Sequence, residues 1–244
     1  MAKNRANARV ILRSIDARAS DLIASPPPTD PLGILARTQS LILYHIIRVF
    51  DGDIAARAAA EDTQSALEDA AMELILHTDF DCPSPAKLAA AAAVSSNSSH
   101  HHHHHHHQLP LQPFGPTKRF FQDWVFQESA RRTLLFIFFF LQAYRIIRGQ
   151  RVEACDGRLN RCHAFTLSAA LWEADGPLAF ARAWGARRHL VVENTNFQIA
   201  FQEARADEID AFGRIMLTSV IGVDEAEGWF AARGGSLRGS KVAV

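Results

Sequence analysis

Apolar residues return every three or four positions through most of the chain and strand-like alternation is scarce, so the pattern predicts an all-α protein. Val10, Leu12, Ile15, Leu22 and Ile23 fall on one face of a first helix. Ser25-Pro26-Pro27-Pro28-Thr29 ends it, because proline lacks an N–H donor and fixes φ. Asp30 is placed to cap a second helix, with Pro31 at its first position. Its expected inward stripe is Leu32, Leu35, Ile42, Leu43, Ile46, Ile47 and Phe50, and Asp51-Gly52-Asp53 breaks it. A third stretch, Ile54 to His77, is rich in Ala, Glu and Leu and reads as one uninterrupted helix.

The second half opens near Lys118 with a long helix expected to run to Arg148 and to stop at Gly149. Within it Leu134–Leu141 leave no polar face for two turns. A helix that is apolar all round belongs at the centre of a bundle, so Phe136–Leu141, Phe138 among them, are expected there, each contributing ~1.5–3 kcal/mol if fully buried. Shorter helices are predicted at His163–Trp172, Leu178–Arg187 and Phe197–Ala204, with His189–Glu193 extended. Asp207 is the expected start of another helix, with Ile209, Phe212, Met216 and Val220 inward and Gly222 as its stop. Asp224-Glu225-Ala226-Glu227 has the form of a capping box and opens a last helix through Trp229 and Phe230, which Gly234-Gly235 ends. Trp184 and Trp229 are expected to anchor helix to helix.

Residues 78–117 differ in kind. They hold Cys82-Pro83-Ser84-Pro85, an alanine run at Ala89–Ala93, a serine-rich run from Ser95 to Ser99, the tract His100–His107, and Pro110, Pro113 and Pro116. Such composition cannot bury enough apolar surface to offset a backbone entropy of ~1–2 kcal/mol per residue. The organisation that follows is an N-terminal helix and Pro-rich turn (1–29), a first helical segment (30–77), a low-complexity linker (78–117), a main helical part (118–235) and a tail (236–244). The fold expected is an irregular helical bundle with a disordered low-complexity linker. The histidine tract could hold nickel or zinc loosely, although a homopolymer needs no function.

Composition narrows the function classes. The 244 residues carry 48% hydrophobic and 21% charged residues, enough for a sizeable core. Zero formal net charge argues against a chain that wraps nucleic-acid phosphates over its own surface. The balance hides segregation: residues 51–81 hold nine acids against Arg57 alone, and residues 118–161 hold nine bases against four acids. Either these segments face one another or are simply solvated faces, or the basic one receives an acidic partner. Cys82, Cys155 and Cys162 make no disulfide framework. The early arginines (Arg5, Arg9, Arg13, Arg18) would suit a transit peptide, but Asp16 and Asp21 speak against one. Leu134–Ile147 is too short for a spanning helix, which needs ~20 residues, and arginines bracket it tightly.

Candidate chemistry is sparse. Glu128 and Arg132 stand four apart with the acid first, the better order for a helical ion pair. Exposed, such a pair adds only ~0.3–0.5 kcal/mol; buried, loss of one partner costs ~3–5 kcal/mol. Trp124, Glu128, Arg131 and Arg132 together read as a polar junction in front of the apolar run. Asp224, Glu225 and Glu227 could act as acid, base or metal ligands, but acids in a first helical turn are also what the helix dipole favours. Cys155, Cys162 and His163 match no standard zinc spacing and lack a fourth ligand. His45 and His77 lie on helical stripes and read as core or surface histidines. No phosphate-binding glycine loop, G-x-S-x-G or H-E-x-x-H occurs. No catalytic residue, cofactor site or metal site is therefore expected, and the chain reads as a non-enzyme.

Three stretches carry a family resemblance: Leu41–Asp53 (LILYHIIRVFDGD), Trp124–Thr133 (WVFQESARRT), and Ala204–Gly235 with its Asp224-Glu225-Ala226-Glu227-Gly228-Trp229-Phe230. They resemble the C-terminal regulatory region of fungal binuclear zinc-cluster transcription factors. The resemblance covers roughly residues 30–77 and 118–235. It implies an all-helical regulatory domain of a nuclear, gene-specific regulator of RNA polymerase II transcription. In that family a separate N-terminal module reads DNA through six cysteines holding two zinc ions, and a short coiled coil often makes a dimer. This chain has three cysteines, none before Cys82, so zinc binding and direct DNA contact are not expected of it. The partners implied are a homodimer copy, transcriptional co-regulators or a separate DNA-binding module, with no membrane; the location implied is the nucleus, the cytoplasm being the alternative. Two other readings stay open: a stand-alone all-helical small-molecule sensor or interaction protein, and an all-α metal-dependent enzyme using Asp224, Glu225 and Glu227.

Overall fold

The structure, a computed structural model, describes residues 7–80, 108–151 and 164–238. The fold is all-α, with two short strands among the described residues. Expectations for Cys82, the histidine tract, Cys155, Cys162 and His163 lie outside the described residues. The chain divides into two units, Met1–Thr78 with Arg132–Ala154, and Asp79–Arg131 with Cys155–Val244.

The first unit opens with α1 (Ala8–Ala24) and α2 (Pro31–Ile46), the latter continued by one π turn, Ile47–Asp51. Asp30 caps α2 by accepting from the Gly33 N–H, as the Asp-Pro start predicts. The inward face differs from the expected stripe. Leu32, Leu43 and Phe50 are exposed, whereas Ile34, Leu35, Thr38, Leu41, Ile42, His45, Arg48 and Val49 are buried. That buried set keeps the 3.6-residue period but includes three polar side chains, which an apolar-only reading passes over. Thr38 is accommodated because its hydroxyl bonds the Ile34 carbonyl and reaches Ala70 of α4 at 3.2 Å.

The single helix expected from Ile54 to His77 is two: α3 (Ile54–Asp62) and α4 (Gln64–Leu76). They part at Thr63, whose hydroxyl turns back onto the carbonyls of Ala59 and Ala60. The Arg48 guanidinium enters the break and donates to Ala59 O and to Thr63 Oγ1. A tertiary cation thus bonds a carbonyl and a hydroxyl at a helix end that no local sequence signal marks. Gly52 makes the preceding turn possible, since a Cβ there would lie 2.1 Å from the Arg48 carbonyl oxygen.

One helix, α5 (Gly115–Ile147), serves both units, passing from the second to the first at Arg131–Arg132. In the first unit it buries Leu134, Leu135, Ile137, Phe140 and Tyr144. Phe136, Phe138, Phe139 and Leu141 are only half-buried, and Ile146 and Ile147 are exposed, so the helix is not enclosed all round. Phe50 meets Phe140 edge-on at 6.1 Å. Glu61 of α3 accepts from the Tyr144 hydroxyl at 2.6 Å and pairs with Arg148 at 3.3 Å. At this place the acidic segment 51–81 and the basic segment 118–161 do face one another.

The second unit adds β1 (Phe165–Thr166), α6 (Ala169–Trp172), α7 (Pro177–Ala186), β2 (Val191–Val192), α8 (Gln198–Glu203), a 3-10 turn (Ala206–Glu208), α9 (Ala211–Ile221) and α10 (Val223–Ala232). The helix expected over His163–Trp172 begins instead as a strand, paired antiparallel with β2 through Phe165–Val192 and Thr166–Val191. Asp207 does not start α9; Asp210 does, accepting from the Gly213 N–H at 2.7 Å. Met216 and Leu217 face in, while Val220 is exposed. The expected capping box at Asp224–Glu227 does not form, because α10 starts two residues earlier and its N-cap is Gly222. Gly222, at φ +86°, lets α9 run into α10 with no loop between them. Glu227 instead accepts weakly from the Leu237 N–H.

Candidate functional site

The junction ahead of the apolar run is the most elaborate polar site described in the second unit. Glu128 and Arg131 sit one helical turn apart on α5, and each is all but sealed from solvent, at 0% and 1% exposure. Spacing singled out Arg132, four residues on, as the partner of Glu128; the 2.8 Å contact is with Arg131, three residues on. The second Glu128 oxygen accepts from the Thr166 backbone N–H at 2.8 Å and from its hydroxyl at 3.1 Å. Arg131 donates through its other terminal nitrogen to the Asp79 carbonyl at 3.0 Å. Gln127, one position before Glu128, accepts from the Asp79 N–H at 2.7 Å. One carboxylate and one guanidinium thus hold three strands of chain: the segment at Asp79, α5, and β1. A buried pair of this kind is costly unless its remaining donors and acceptors are satisfied, and here the bonds above satisfy all but the Arg131 Nε, which is buried without a hydrogen-bond partner. Arg132 is buried as well, on the first unit's share of α5.

Asp123, one turn earlier, has its carboxyl pushed up from the ordinary range by desolvation and by the neighbouring charge of Asp79, with Arg131 opposing.

Trp124 lies on the same helix among Leu109, Leu171, Phe180, Ala181 and Trp184, a buried cluster that Phe120 and Phe121 flank. Its ring is 4.8 Å from Phe180 and 6.4 Å from Trp172. Trp184 meets Phe120 edge-on at 5.2 Å and lies 4.0 Å from the His189 ring, whose Nε2 is 3.0 Å from the Trp184 carbonyl. Both tryptophans thereby join α5, α6 and α7. Trp229 is half-buried on α10, donates from its indole to the Phe201 carbonyl at 3.1 Å, and stacks near Arg233, which also bonds that carbonyl. Phe138 is half-buried in the first unit. Asp224, Glu225 and Glu227 stay exposed on α10. Among the described residues no group of three or more His, Cys, Asp or Glu side chains is arranged to hold a metal ion. No helix among them is long and apolar enough to cross a membrane.

Sequence reasoning did not find Thr166, Asp79, Arg48 or Arg214. Thr166 and Asp79 act largely through backbone atoms, which carry no residue signal. Arg48 could have been seen, since it stands on the buried period of α2 at 41, 45, 48. Arg214 caps three carbonyls, those of Ala206, Ile209 and Ser236, and lies over the Phe230 ring at 4.5 Å.

No protein-family model matches the chain, and no solved structure matches it. Over 234 residues it is 25% identical to "Transcription factor gsfR2" of Penicillium aethiopicum, an alignment covering 93% of this chain and 49% of that protein. The chain therefore spans about half the length of the curated relative it matches.

Proposed function

We propose that the chain is a regulatory domain of a fungal zinc-cluster-type transcription regulator, acting in the nucleus on genes read by RNA polymerase II. The observation that carries this reading is the alignment with a fungal transcription factor over nearly the whole of this chain. The all-helical fold agrees with it, as do the three stretches that resemble the regulatory region of that family. On this reading sequence-specific DNA contact belongs to a separate zinc module, in the same polypeptide or in a partner, and not to these residues. The Glu128–Arg131 junction and the Trp124 cluster then serve as the framework that keeps α5, α6, α7 and β1 in one arrangement. Co-regulators and a second copy are the partners this role calls for, and no cofactor or reaction is assigned to the chain.

The test is a tethering assay. Fused to an unrelated DNA-binding module, the chain changes transcription of a reporter carrying that module's site, upward or downward, and a fusion disrupted by Glu128→Ala loses the effect. A folded fusion that leaves the reporter at the level of the bare module overturns the reading. Turnover of any substrate through the Asp224, Glu225 and Glu227 carboxylates would do so equally.

A further inference from the structure

The first unit holds a second buried ionisable cluster, independent of the regulatory reading. His45 on α2 is 2% exposed. Its Nδ1 lies 3.0 Å from the Leu41 carbonyl, which makes this nitrogen the donor of a neutral ring. Its Nε2 is buried without a hydrogen-bond partner. The carbonyls of Ala60 and Thr63, either side of the α3–α4 break, also face the ring. Arg48, one turn on, is equally buried and fills the break through Ala59 and Thr63. The carboxylate facing this pair is Asp16 of α1, 3.9 Å from the guanidinium and more than a third exposed.

We propose that His45, Arg48 and Asp16 form a proton-operated lock on the α3–α4 elbow: a neutral His45 lets Arg48 hold α3 against α2, and proton uptake by His45 releases α3. The ring has one hydrogen bond to give when neutral. Protonated, it becomes a second buried cation beside Arg48, against one half-solvated carboxylate. Of the other charges on the packed elements, Arg9, Arg13, Arg18 and Asp21 of α1 and Asp69 and Glu73 of α4 are exposed. Glu61 of α3 is taken by Tyr144 and Arg148, Glu68 of α4 by Gln64, while Arg57 and Asp62 of α3 are exposed. Burial, the largest influence, and the charge of Arg48 hold the ring in its neutral form against the carbonyls of Leu41, Ala60 and Thr63, which favour the proton.

The element that yields is α3. It is nine residues long, buries only Ala56 and Ala60, and leaves Ile54 85% exposed. Little apolar surface fastens it, so it is held largely by polar contacts, those of Arg48 at Ala59 and Thr63 and those of Glu61 with Tyr144 and Arg148.

The experiment is amide hydrogen exchange on the full chain between about pH 7.5 and about pH 5, the range in which a histidine titrates, corrected for the intrinsic rate. Amides of Ile54–Asp62 should lose protection in acid, while those of Ala211–Ile221 keep theirs. His45→Gln should abolish the acid response. Asp16→Asn, a half-exposed change that leaves the cations less compensated, should move the release to higher pH. Equal α3 protection at both pH values overturns the proposal, as does an unchanged acid response in His45→Gln. Should His45→Gln not fold, Asp16→Asn decides, and a release at the parental pH overturns it.

Discussion

Glu128 shows what one side chain does when it is sealed from water. It takes the Arg131 guanidinium on one oxygen and both hydrogen-bond donors of Thr166 on the other. Glu128→Ala leaves Arg131 charged and unpaired in the interior, which costs ~3–5 kcal/mol and should show as a lowered denaturant midpoint. Replacing both by apolar residues, Glu128→Leu with Arg131→Met, should recover part of that loss, since a buried pair gains little over well-packed hydrocarbon. Recovery should stay incomplete because the Thr166 N–H is still orphaned. His45 makes a pH-dependent contribution of definite sign. Its folded-state pKa lies below the ordinary 6.5, burial being the main cause, so the native state binds fewer protons than the unfolded one in that window. Its stabilisation is therefore complete above about pH 6.5 and is lost as pH falls through that value toward the lower folded-state pKa. Midpoints measured against pH should fall more steeply in acid for the unsubstituted chain than for His45→Gln.

At the level of elements, α5 joins two different environments. Leu134 is fully enclosed and Phe138 is not. Leu134→Ala should cost ~2–5 kcal/mol, and Phe138→Ala clearly less, reversing the order that side-chain size alone suggests; equilibrium unfolding of the two variants decides it. Asp210→Ala removes the cap of α9 and should cost ~0.5–2 kcal/mol, read the same way. Which elements were legible follows from where their signals reside. The Asp30-Pro31 start of α2, the helix expected at Leu178–Arg187 and the Gly149 and Gly222 stops are local, and the structure has them within a few residues. The α3–α4 break was not legible, because an arginine eleven or more residues away creates it. Nor was β1, whose extended form depends on pairing with β2 and on Glu128 taking its N–H. At the junction the residue types were visible; the choice of Arg131 over Arg132 was not, since it depends on which face of the turn points inward.

Across the whole molecule the two units carry different chromophores. Trp124, Trp172, Trp184 and Trp229 all belong to the second unit, and Tyr44 and Tyr144, the two tyrosines of the chain, to the first. Indole emission therefore reports one unit and circular dichroism of the helices reports both. Because α5 is shared, Leu134→Ala, made in the first unit, should lower the denaturant midpoint seen by indole emission as well, with the two probes still coincident. Probes that separate, with indole emission unmoved, would mean that the units unfold independently.

Continuity of α5 within each unit also restricts how this stretch can change in length. A single inserted residue turns everything downstream by about 100° on a 3.6-residue helix. Placed between Leu135 and Phe140, it would swing Phe140 and Tyr144 out of their sockets while Leu134 and Leu135 stayed in theirs. Seven inserted residues would nearly restore the phase, yet they would lengthen the rod by about 10 Å. Neither can be absorbed within one unit's share of the helix, so related chains should carry no gap or insertion between Trp124 and Glu128, and none between Leu134 and Tyr144.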